Sequence, residues 1–116
     1  MTRMSELLAN KSCQPCSGNT PALSAEQVRV LLANLPGWEL KDGAIEKTYR
    51  FKNYYETIAF LNAGAQLSHV EDHHPDIQVG YNTLKYRYNT HAIQGLSEND
   101  FICAAKLDRV PRPLYK

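Results

Sequence analysis

His69, His73, His74 and His91 are all the imidazoles in a chain of 116 residues, and they fall within 23 consecutive positions. Three kinds of chemistry suit such a cluster. The first is metal binding. On a helix His69 and His73 share a face, as zinc ligands do, and Cys13-x-x-Cys16 could add thiolates. Zinc proteases, however, carry a glutamate directly after the first histidine, whereas HVEDH places Glu71 one residue later. The second reading is a solvated surface. A cationic imidazole near a helix C-terminus gains roughly 0.3–1 kcal/mol from the dipole, which covers one or two of the four but not His91. The third is proton transfer. An imidazole titrates near 6.5 when unperturbed, so acid and base forms coexist at neutral pH. Clustered rings disfavour joint protonation and keep one of them neutral. No nucleophile motif, phosphate loop or dinucleotide fingerprint competes, and the spacing leaves all three readings open.

The elements that must position these rings follow from caps, periodicity and turns. Ser24 with Gln27 makes a capping box, and Val28, Leu31, Leu32 and Leu35 recur at helical spacing before Pro36-Gly37. WELKDGAIEKTYRF reads as two strands turning at Asp42-Gly43. Ile45, Lys47, Tyr49 and Phe51 share one face of the second strand. Asn53 caps a long helix running to about residues 69–72, with Tyr54, Ile58, Leu61 and Ala65 as its repeating apolar positions. Pro75 ends that helical region just after His73-His74. Ile77 and Val79 mark a third strand, and Leu84, Tyr86 and Tyr88 a fourth. The two tyrosines suit either a core or an interface. Ser97 and Asp100 cap a last helix through about Arg109, and Pro111 and Pro113 close the folded part.

The order α-β-β-α-β-β-α predicts an α+β domain, a four-stranded antiparallel sheet with helices packed on one face. A hairpin after Pro75 returns His91 towards His73 and His74, because paired strands lie about 4.8 Å apart. Residues 1–22, with KSCQPCSGNTPA, show no periodicity and read as a flexible tail ahead of one domain over 23–116. A net charge of +1 with scattered basic residues predicts neither nucleic-acid nor membrane partners. No apolar run is long enough for a signal peptide or a membrane span, so the expected location is the cytoplasm. Three cysteines make an odd set, against a disulfide framework, and Cys103 in FICAAKL reads as a buried small hydrophobe.

His69-x-x-x-His73-His74-Pro75, Tyr81, His91 and Asp100 together resemble the signature of the pterin-4a-carbinolamine dehydratases. The likeness extends over about residues 22–110, through Trp38 and Phe51-Lys52-Asn53. It implies dehydration of 4a-hydroxytetrahydropterin to quinonoid dihydropterin, without metal or organic cofactor, in support of an aromatic amino-acid hydroxylase such as phenylalanine hydroxylase. By the resemblance His73, His74 and His91 are catalytic. His73 and His74 are placed on the hydroxyl side, with His91 binding and relaying. Substrate contacts fall on His73, His74, Pro75, Thr90, His91, Ala92 and Ile93, with His69, Asp72 and Asp100 in support. Asp100 orients a histidine, caps a helix, or both. His69 departs from the glutamate frequent in animal members, and Asn89 from a common serine. The family forms homo-oligomers, dimers or tetramers. Animal relatives also act as transcriptional dimerisation cofactors, so a non-enzymatic protein-binding module is the rival expectation.

Overall fold

The computed structural model describes residues 3–112; Pro113, expected to help close the folded part, lies outside them. Asp42 and Gly43 both adopt positive φ (50° and 78°), the backbone a tight hairpin demands. They join β1 (Glu39–Lys41) to β2 (Ala44–Arg50). A second hairpin joins β3 (Asp76–Val79) to β4 (Thr83–Tyr88). All pairings are antiparallel in the order β1-β2-β4-β3, so β2 and β4, distant in sequence, lie side by side with Ile45 opposite Tyr88. Helices α2 (Ala25–Leu32), α3 (Tyr54–Glu71) and α4 (Glu98–Leu107) complete the expected order.

The caps form where the sequence places them. Ser24 and Gln27 bond reciprocally at α2, and Asn53 Oδ1 accepts the Glu56 N–H at α3. Tyr86 and Tyr88 belong to the core, each at most 1% exposed, together with Trp38, Ile45, Phe60, Leu84, Phe101 and Ile102. The Asp108 carboxylate at the end of α4 gathers Trp38 Nε1, Lys47 Nζ and the Tyr49 hydroxyl, tying β2 and the residue just before β1 to that helix. Among the described residues no helix is long and apolar enough to cross a membrane.

Three features differ from the sequence reading. Ahead of the expected elements, within the stretch read as a flexible tail, Met4–Ala9 form α1, whose Leu8 is 1% exposed. Lys106 on α4 donates to the Ala9 carbonyl, so this helix is held by contacts some 97 residues apart in sequence. On α3 the buried residues are Thr57, Phe60, Gly64 and Ser68, with Glu56, rather than the Tyr54–Ile58–Leu61–Ala65 stripe. The helix approaches the sheet through small residues, and the Thr57 and Ser68 hydroxyls bond carbonyls of their own helix or its neighbours. Finally, α3 stops at Glu71, before Pro75 acts, because Asp72 turns left-handed (φ 50°, ψ 44°).

Candidate active site

That left-handed residue decides where the histidines go. The Asp72 N–H bonds the His69 carbonyl and the His73 N–H bonds the Ser68 carbonyl, the two bonds of a Schellman helix end. His69 stays on the exposed last turn, while His73 and His74 leave the helix on an extended segment. The shared helical face imagined for His69 and His73 therefore does not exist. Among the described residues, no three His, Cys, Asp or Glu side chains converge as metal ligands.

His91 is placed by a second local device. β4 ends at Tyr88, and a one-turn 3-10 helix spans His91–Ile93. An isolated bridge, Thr90 to Gly95, clips the base of this turn, and Gln94 takes the left-handed conformation needed to close it. His73, His74 and His91 then line one cleft of about 550 Å³. Asp72, Thr90 and Ala92 line it as well; His69, Pro75 and Ile93 do not. Asp100 stands behind the wall, fully buried.

The three rings are held differently. His73 Nε2 meets Asp100 Oδ1 at 2.6 Å, and its ring lies parallel to the buried Tyr88 ring, 5.9 Å between centroids and 5° apart. The other carboxylate oxygen of Asp100 accepts from Thr90 Oγ1 (2.8 Å) and from the Ser97 N–H (3.0 Å). Thr90 and Ser97 hydroxyls are themselves 2.7 Å apart. Asp100 thus closes the N-terminus of α4 and orients His73 at once. A carboxylate accepting from Nε2 fixes that nitrogen as the donor and leaves the lone pair on Nδ1. His74 and His91 are exposed.

The N-terminal segment supplies a further wall. Cys13, Gln14, Pro15 and Cys16 line the cleft together with Glu71, Asn89 and Asn99. The Asn99 side-chain amide clamps the Gln14 peptide from both sides, accepting from its N–H (3.0 Å) and donating to its carbonyl (2.6 Å). Glu71 Oε1 accepts the Cys13 N–H at 2.7 Å. The unusual CQPC string was the available signal, but its partners sit on α3 and α4, 58 and 85 residues away.

A cleft of this size, lined by three histidines, can bind a flat polar molecule and both give and take protons. Comparison with known proteins agrees on the class. The family model for pterin 4 alpha carbinolamine dehydratase matches residues 21–110. A provisionally named pterin-4-alpha-carbinolamine dehydratase from Nitrosomonas eutropha is 58% identical over 102 residues, 87% of this chain and 90% of the relative. One from Legionella pneumophila is 46% identical over 92% of this chain and 97% of its own. Among solved structures, a transcriptional coactivator/pterin dehydratase from Brucella melitensis superposes with a TM-score of 0.75 at 27% identity, covering 78% of this chain and 98% of that one. A pterin dehydratase-like RuBisCO assembly factor of the alpha-carboxysome gives 0.53 at 27% identity, over 63% and 84%. The chain belongs to the pterin-4a-carbinolamine dehydratase family.

Proposed function

We propose that the cleft dehydrates 4a-hydroxytetrahydropterin to quinonoid dihydropterin by histidine acid–base catalysis. The observation that carries this reading is the meeting of His73, His74 and His91, from two segments separated by a hairpin, in one cleft. Hydroxide is a poor leaving group, so the 4a oxygen must gain a proton as the carbon–oxygen bond breaks. An imidazolium supplies it, and water departs. The N5 proton passes to a neutral imidazole, and the electron pair freed there completes the double bond to carbon 4a. No atom is oxidised, and the protein begins and ends with the same number of protons.

His73 and His74 are assigned to the hydroxyl side, His91 to binding and relay. The Asp100 carboxylate at Nε2 and the parallel Tyr88 ring orient the His73 ring towards the cleft. Pro75 stiffens the segment that carries His73 and His74, and Ile93 shapes the turn beneath His91. Positioned acid–base catalysis supplies about 10²–10⁴-fold, enough for a reaction that already proceeds unaided. The physiological setting we assign is cytoplasmic tetrahydropterin recycling for an aromatic amino-acid hydroxylase. We assign a homo-oligomeric state on the exposed apolar Leu40 and Val79, carried by the two outer strands of the sheet.

Stopped-flow recording of carbinolamine disappearance is the direct test. The wild-type chain is expected to accelerate it, and His73→Ala, His74→Ala and His91→Ala each to lose about 10–10³-fold. No acceleration by wild-type protein would refute the reading. The coactivator and assembly-factor names of the two structural neighbours favour one rival, a protein-binding module. Under that reading the same histidine variants keep partner binding, and wild-type protein leaves the carbinolamine untouched.

A further inference from the structure

The family match begins at residue 21, yet Cys13–Cys16 form a wall of the cleft, and the sulfur chemistry of that wall plays no part in dehydration. We propose that Cys13 and Cys103 are a redox modification site, a dithiol that closes to a reversible disulfide and latches the segment 10–16 onto α4.

The geometry is already close to the product. Cys13 Sγ lies 3.5 Å from Cys103 Sγ. A disulfide needs about 2.05 Å, so closure moves the sulfurs by roughly 1.5 Å, within reach of side-chain rotation. The segment around Cys13 is held against α3 and α4. Glu71 holds the Cys13 N–H, Asn99 clamps Gln14, and Lys106 Nζ reaches both the Ala9 carbonyl (2.8 Å) and Glu71 Oε2 (3.9 Å). Cys16 has different company: its sulfur meets the Gln14 carbonyl and Asn99 Nδ2, so the neighbouring thiol in sequence is not the neighbour in space.

Access sets the order of events. Cys13 is half-buried and lines the cleft, whereas Cys103 has no exposure and is reached through Cys13. The hydrogen bond to Cys13, then burial, push the Cys103 thiol up, so it waits protonated as the second reactant. The oxidant is a hydroperoxide. The Cys13 sulfur attacks its distal oxygen, the O–O bond breaks, and with hydrogen peroxide the leaving hydroxide takes the Cys13 proton as water. The Cys103 sulfur then attacks the resulting sulfenic sulfur. The S–O bond breaks, and the hydroxyl leaves as a second water with the Cys103 proton. Two thiols lose two electrons in all, and a small dithiol reductant reverses the change.

The test uses the full chain treated with hydrogen peroxide, followed by non-reducing peptide mapping. The expected product has one intramolecular Cys13–Cys103 bridge and one remaining thiol, Cys16. Cys16→Ser is expected to leave the bridge intact and Cys13→Ser to abolish it. Amide hydrogen exchange over residues 10–16 is expected to slow by roughly tenfold or more in the bridged form and to recover with dithiothreitol. A Cys13–Cys16 bridge, a cross-linked pair of chains, persistent thiols, or terminal oxidation of Cys13 without a bridge would overturn the proposal. So would a bridged chain whose segment 10–16 exchanges as fast as before. Neither readout depends on dehydration, so this idea and the proposed function fail separately.

Discussion

At Asp100 one carboxylate oxygen faces His73 Nε2 while the other takes the Thr90 hydroxyl and the Ser97 N–H, and the side chain has no exposure at all. A buried carboxylate costs several kcal/mol unless its lone pairs are occupied, and here donors occupy both oxygens. Asp100→Asn keeps the shape and removes one acceptor. Whichever way the amide turns, an N–H faces either His73, forcing the other tautomer and taking the lone pair from Nδ1, or the Ser97 N–H, where two donors collide. We expect kcat for carbinolamine dehydration to fall about 10–10²-fold with KM nearly unchanged, and stability to drop by about 1–3 kcal/mol. Steady-state kinetics and denaturant unfolding measure the two effects separately. A stability loss with kcat intact would reduce the carboxylate to a helix cap.

Helix α3 shows how an element can be read correctly and faced wrongly. At Gly64 it comes close to the sheet, where an added Cβ would sit 2.9 Å from the Tyr86 hydroxyl and 3.3 Å from Leu107 Cδ1. Gly64→Ala gains about 1 kcal/mol of helix propensity, but overpacking of this kind typically costs about 1–3 kcal/mol. The net expectation is a lower Tm. Tyr86→Phe in the same chain removes the hydroxyl, which has no hydrogen-bond partner among the described residues, and should recover most of the loss. A double-mutant cycle by thermal denaturation checks this; additive effects would show that the two do not touch. The same contact explains what the sequence hid. Caps at Ser24, Asn53 and Ser97 and the Asp42-Gly43 turn were legible because each is decided within four residues. The buried face of α3 was not, because Thr57, Gly64 and Ser68 carry no hydrophobic signature and are inside only by virtue of what lies opposite. For the site, the pairing of His73-His74 with His91 followed from hairpin geometry. The Asp72 helix end, the 3-10 turn at His91 and the Cys13–Cys16 wall did not, since the first two rest on left-handed residues that are neither glycine nor asparagine, and the third on contacts across most of the chain.

Taken whole, the molecule rests on a cluster of buried tyrosines that reaches the cleft, since Tyr49 packs edge-on against Tyr86 and Tyr88 lies beneath His73. Burial pushes the Tyr86 phenol up to about 12. It pushes Tyr88 higher still, and Tyr49 too, where the hydrogen bond to Asp108 adds to the effect. An unfolded tyrosine ionises near 10, so above about pH 10 the unfolded chain has lost protons that the native chain keeps. Stability then falls as pH rises, since the native state binds more protons than the unfolded one. Below about pH 10 the contribution is present in full; through the interval from about 10 to 12 it is withdrawn, and the phenols with the highest native values ionise only by way of unfolding. Tm should therefore be insensitive to these groups at neutral pH and decline steeply above about pH 10. Part of the tyrosinate absorbance should appear together with the loss of ellipticity. Because Tyr88 carries the His73 ring, binding of a pterin analogue should vanish in the same transition rather than before it. If all the phenols titrate smoothly while the fold persists, the tyrosine cluster is open to solvent, and the rigid backing assigned to His73 goes with it.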